Sequence, residues 1–149
     1  MAKSAATQED IRGKLLEVLR KNNLKVTRQR REIIEVLAGD KSHPSARAIL
    51  AAVRRKVPSV SLSTVYYTLN LFKKEGAVRE LEFYEMENRY ESKVRDHLNL
   101  VCVKCGKIED YAQGVPVTAG RVEKETGFAV DRVRFEYHGH CRDCRKKGR

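Results

Sequence analysis

The chain has 149 residues, with 31 lysines and arginines against 20 aspartates and glutamates, a formal net charge of +11. That length suits one ordinary domain or two small ones, and the basic balance makes nucleic acid the leading partner. The opening MAKSAATQEDIRGKLLEV lacks the apolar core of a signal peptide and no stretch approaches a membrane span, so a cytoplasmic setting is expected, without export or insertion.

The first half reads as helices. Thr7 is placed to cap a helix whose apolar positions are Ile11, Leu15, Leu16, Val18 and Leu19, interrupted at Asn22-Asn23. Thr27 caps a second helix with Ile33, Ile34, Val36 and Leu37 inward, ended by Gly39. A third follows Pro44-Ser45, carries the stripe Ala48, Ile49, Ala52 and Val53, and must stop before Pro58. Ser61 caps a fourth, which buries Val65, Leu69 and Phe72 and stops at Gly76. Two helices joined by the short link Val57-Pro58-Ser59-Val60, the second beginning with small polar residues, form the pattern of helix-turn-helix DNA binding. The charge agrees: residues 1–84 carry 17 basic and 9 acidic side chains, residues 85–149 carry 14 and 11.

On that fourth helix Ser61, Ser63 and Thr64 stand in the first turn, where hydroxyls and free backbone N–H groups meet phosphate and short side chains admit the helix to a major groove. Tyr66 and Tyr67 follow, able to touch phosphate, sugar or a thymine methyl. For each residue the bland alternative is equally open: Ser61 a cap alone, one tyrosine a core residue. Residues 77–84 alternate as a strand, and Asn88-Arg89-Tyr90-Glu91 returns as its hairpin partner, which makes the unit a winged helix.

A smaller α/β unit follows. Two strands, His97 to Val101 and Lys107 to Tyr111, flank a first Cys-x-x-Cys; a helix spans Val115 to Thr126 and ends at Gly127; Val133, Phe135 and Tyr137 alternate in a last strand that runs into a second Cys-x-x-Cys. The tail 145–149 has no apolar partner and is expected to fray. The fold class is therefore α+β: a winged-helix domain over 1–84, a hinge over 85–95, and a small α/β domain over 96–149.

Cys102, Cys105, Cys141 and Cys144 are the four cysteines of the chain, in two pairs at zinc-knuckle spacing. Four thiolates close a tetrahedral shell, so this zinc would be structural. A disulfide would need an oxidising compartment, and a thioredoxin-like use of one pair would leave the other unexplained.

In succession, Leu24-Lys25-Val26-Thr27-Arg28-Gln29-Arg30, His43-Pro44-Ser45-Ala46, Ser63-Thr64-Val65-Tyr66, Asn88-Arg89-Tyr90-Glu91 and the segment His97 to Gly106 resemble the ferric uptake regulator family over nearly the whole chain. His43-Pro44-Ser45-Ala46 and Val78-Arg79-Glu80-Leu81 look most like its peroxide-responsive branch. The resemblance implies a homodimeric, metal-dependent repressor that binds a palindromic DNA operator, is not an enzyme and takes no small-molecule substrate. It further implies a C-terminal dimerisation domain with the structural zinc, and a regulatory metal at the hinge on His43, Glu91, His97 and Asp110. Such imidazole and carboxylate ligands suit Fe(II), Mn(II) or Zn(II), and one ion on all four would fix the angle between domains. With Fe(II), peroxide would oxidise His43 or His97.

Four positions depart from the family. Asn99 stands where a histidine ligand is usual and offers only a neutral carbonyl oxygen. Val133 and Val117 replace residues of a third metal site, which is expected to be absent, and His138 and His140 are expected near the surface or behind the zinc ligands. Lys25 matches a minor-groove lysine and Tyr66 a recognition-helix tyrosine, but Tyr67 replaces a frequent arginine, so a bidentate guanine contact is expected to be lost there. Iron- or zinc-responsive uptake regulation without peroxide sensing is the alternative within the family. A zinc-ribbon RNA-binding protein is the alternative outside it, although it leaves the four capped helices unexplained. A metalloenzyme would need a nucleophile and base, or a cofactor loop, that the sequence does not display.

Overall fold

A computed structural model describes residues 6–111 and 113–147. The chain divides into two compact units between Val94 and Arg95. In the first, α1 (Gln8–Lys21) begins at Thr7 with a reciprocal capping box, Asp10 N–H donating to Thr7 Oγ1 at 3.1 Å and Thr7 N–H to Asp10 Oδ2 at 2.9 Å. The caps Thr27, Ser45 and Ser61 each accept a backbone N–H in the same way and start α2 (Arg28–Gly39), α3 (Ala46–Arg54) and α4 (Leu62–Lys74). Each satisfies a donor that the first helical turn leaves without an intrahelical partner.

Helix α2 packs on α1, α3 and α4. Leu15, Leu19, Ile33, Ile34, Ile49, Val65, Leu69 and Phe72 are sealed from solvent in one core. The stripe of α3 is phased differently from its expectation: Ala46, Ile49 and Val53 are buried and Ala48 is exposed. Alanine is small enough to sit on either face, so the flanking Ile49 and Val53 set the phase and Ala46 falls one turn before Ile49.

After α4 the chain turns at Gly76, whose φ of +64° lies in the left-handed region that favours glycine. The hairpin then forms, but only over β1 (Arg79–Leu81) and β2 (Arg89–Glu91), antiparallel with Arg79 opposite Glu91. Of the longer strand expected over 77–84, the end does not pair, and Tyr84 is fully exposed. Tyr90 of β2 is buried in the helical core. Its hydroxyl donates to Glu80 Oε1 at 2.9 Å, and Glu80 also accepts from Asn88 Nδ2 at 3.0 Å and from Lys73 Nζ. The hairpin is thereby tied to the end of α4. The span 85–95, read as hinge, thus contains β2 of the first unit.

The second unit is a three-stranded sheet, β3 (Leu98–Cys102) central, β4 (Ile108–Tyr111) antiparallel to it and β5 (Phe135–Gly139) parallel to it. The parallel pair needs a crossover, which α5 (Ala119–Thr126) helps to supply. Thr118 caps α5, so the helix starts later than expected, beyond Val115, Pro116 and Val117; Gly127 closes it at φ +72°. The last strand is also shorter than its alternation suggested: Val133 lies before it and Tyr137 is exposed. Arg145 and Lys146, expected to fray, instead belong to the short helix α6 (Arg142–Lys146) that follows Cys141, while Gly148 and Arg149 lie outside the described residues. Among the described residues no helix is long and apolar enough to cross a membrane.

Candidate metal centres and nucleic-acid interface

Strand pairing brings the cysteines together. Cys102 ends β3 opposite Gly139 of β5, so Cys141, two residues on, returns to it, and its N–H donates to Cys102 Sγ at 3.3 Å. Cys105 follows in the tight turn after β3, and Cys144 lies one turn into α6. The four sulfurs lie within 4.8 Å of one another, with 3.8 Å between Cys105 and Cys141. Sulfurs about 2.3 Å from a tetrahedral zinc stand about 3.8 Å apart, so the cluster fits that ion. The electrostatics are split. Backbone N–H groups, first that of Cys141, pull the Cys102 thiol down to about 6, whereas burial and then the neighbouring sulfurs push Cys144 up to about 12. A cation at the centre removes that mutual penalty.

The other expected ligands divide between the units, two carried by each. In the first, His43 Nε2 and Glu91 Oε2 are 3.1 Å apart, with both side chains only 5% exposed. His43 holds an uncommon backbone conformation for a non-glycine, φ +57°. Its carbonyl accepts from Arg89 Nη1 at 3.1 Å, and the next carbonyl, of Pro44, accepts from Tyr90 N–H at 3.0 Å. The hairpin strand that carries Glu91 therefore also clamps the loop that carries His43. Sequence reasoning missed the part played by Arg89, because a contact to a distant backbone carbonyl has no local signature.

In the second unit His97 Nδ1 is 2.7 Å from the Arg95 carbonyl, which can only accept, so the proton sits on Nδ1 and Nε2 is turned toward Asp110 Oδ1, 3.5 Å away. A metal-binding histidine is commonly oriented by such a bond through its other nitrogen. Asn99 pairs with Asp110 across β3 and β4. Its Oδ1 is buried and has no hydrogen-bond partner among the described residues. A buried amide oxygen left so is costly, and a cation would satisfy it. His138 lies on the exposed side of β5, 2.9 Å from Glu136, and His140 is exposed.

On α4, Ser61 acts as the cap: its Oγ accepts Thr64 N–H at 3.2 Å and lies 3.0 Å from Thr64 Oγ1. Ser63 is exposed. Neither tyrosine is core, Tyr66 being 42% and Tyr67 56% exposed. Lys25 is exposed just before α2. Its carbonyl accepts from Arg30 Nη1, and the Arg30 guanidinium lies over the Tyr67 ring. In the sequence Arg30 stands out only as the end of the family motif that begins at Leu24.

A profile described as the ferric uptake regulator family matches residues 21–138. The chain belongs to this family. Among curated members, a peroxide operon regulator of Bacillus subtilis is 35% identical over 133 residues, covering 89% of this chain and 92% of its own. A peroxide-responsive repressor of Staphylococcus epidermidis is 35% identical over 132 residues, 87% of each. Among solved structures, the ferric uptake regulator of Helicobacter pylori, described as having three functional metal-binding sites, superposes with a TM-score of 0.75 at 31% identity, over 96% of this chain and 97% of that one. The peroxide-sensing regulator of Streptococcus pyogenes gives 0.51 at 32% identity, over 97% of each.

Proposed function

We propose that this chain is a metal-dependent DNA-binding repressor that acts as a homodimer on a palindromic operator in the cytoplasm. In this reading Cys102, Cys105, Cys141 and Cys144 hold a structural zinc. His43, Glu91, His97 and Asp110, with Asn99, hold one regulatory Fe(II) or Mn(II). The observation that carries the reading is the buried His43–Glu91 pair, anchored by the hairpin of a helix-turn-helix unit. Ligands taken from both sides of the division at Val94 let metal occupancy bias how the DNA-binding unit is held.

Bound ferrous iron would activate peroxide for transfer of one oxygen atom. The chain's own part is to present the imidazoles of His43 and His97: gain of one oxygen atom on a ring carbon, with the other oxygen of peroxide leaving as water, weakens the ring as a ligand. Ser63, Thr64, Tyr66, Tyr67 and Lys25 present the DNA-facing surface of the first unit, with Ser61 as the cap of the recognition helix.

The test is to load the zinc-containing protein with Fe(II), add micromolar peroxide, weigh tryptic peptides and follow duplex binding. Added oxygen on a peptide containing His43 or His97, with loss of DNA binding, is expected. The similarity to the Helicobacter pylori regulator favours a second reading, iron- or zinc-responsive regulation without oxidation. In that case the peptides stay unmodified while DNA binding still follows the metal.

A further inference from the structure

The two exposed tyrosines of α4 differ in one respect: Tyr67 carries a cation on its face. The Arg30 guanidinium carbon is 5.8 Å from the centroid of the Tyr67 ring, inside the range in which a cation is drawn to an aromatic face. The same guanidinium donates through Nη1 to the Lys25 carbonyl at 2.8 Å. Arg30 is thus held twice, by a ring of the recognition helix and by the backbone of the exposed lysine before α2.

Helix electrostatics do not explain why an arginine stands there. The first turn of α2 contains Arg28, Arg30 and Arg31 and no acidic residue, at the helix end where the dipole favours negative charge. The bond to Lys25 uses one N–H of five, and among the described residues the Nε–Nη2 edge of the fork is left for another acceptor. A guanidinium already held by a carbonyl bond and over an aromatic face loses little freedom on making a bidentate contact.

We propose that Arg30, held over the face of Tyr67, supplies the guanine-reading guanidinium of this recognition surface, so that an arginine of α2 restores the contact that a tyrosine on α4 removes. Arg30 is then a specificity-determining residue, and Tyr67 the platform that orients it. This rests on the DNA-binding reading above.

The experiment uses the full zinc- and Mn(II)-loaded protein. Wild type first enriches duplexes from a randomised library; affinities for an enriched duplex and a scrambled one of equal length are then measured across a range of salt, with thermal melting as a control for folding. Arg30→Lys keeps the charge and loses the fork, so its salt dependence stays that of wild type while its preference for the enriched duplex falls about tenfold. Tyr67→Ala lowers the preference similarly, the double variant falls no further than either single one, and Tyr67→Phe recovers most of it. The inference is overturned if Arg30→Lys discriminates as wild type does, if it weakens both duplexes by the same factor, or if the two single losses add. If wild type enriches no duplex, the DNA-binding reading itself fails, and the inference with it.

Discussion

In the first unit Leu15, Leu19, Ile33, Ile34, Ile49, Leu69, Phe72 and Tyr90 lock four helices and a hairpin into one core. In the second the buried apolar set shrinks to Leu98, Val101, Cys102 and Ile108, all on β3 and β4, and neither α5 nor α6 buries a side chain among the described residues. Phe128 and Tyr137 of that unit are more than half exposed. One unit is stabilised by its own packing. The other, about a third of the chain, has the small core for which small domains generally use a metal staple.

The difference is sharpest when the staple is removed. Cys102→Ser or Cys141→Ser should abolish zinc binding and unfold the second unit, a loss on the order of 10 kcal/mol by comparison with structural zinc in small domains. The helices of the first unit should persist. Circular dichroism and limited proteolysis measure both, and retention of an ordered second unit without zinc would refute the contrast. Phe72→Ala attacks the packed unit instead and should cost about 3–5 kcal/mol in denaturant melts. Phe128→Ala should move the melt of the zinc-loaded chain by less than about 0.5 kcal/mol yet weaken dimerisation in sedimentation experiments.

A smaller effect concerns Glu80. Burial raises its carboxyl, but bonds from Lys73, Asn88 and Tyr90 outweigh it and hold the group below the ordinary 4.5. The folded value being depressed, its contribution is fully present above about pH 4.5 and is lost as the pH falls through the lower folded value. Glu80→Gln should therefore destabilise the hairpin by about 1–2 kcal/mol near neutrality, with the difference from wild type vanishing in acid melts. Thr27→Ala, which removes one cap, should cost about 1 kcal/mol.

The starts of the first four helices were legible because each is written locally: Thr7, Thr27, Ser45 and Ser61 declare themselves by residue type and by the apolar run that follows. The cysteine spacing was legible for the same reason. Alternation around Tyr137 marks a strand, but period two says only that two faces differ, and what covers a face, here leaving Tyr137 exposed, is a tertiary matter. Arg89 on the His43 carbonyl and Arg30 on the Lys25 carbonyl escaped because a side chain bonding to a backbone oxygen places no demand on the identity of its partner.

The central claim is that one regulatory ion draws ligands from both units. Mn(II) titration of the zinc-loaded protein, compared with His43→Ala, Glu91→Gln, His97→Ala and Asp110→Asn, tests it most directly. The account predicts one Mn(II) per chain beyond the zinc, weakened at least about tenfold by each substitution, with the zinc retained. Unchanged Mn(II) affinity in both variants of either unit would contradict it.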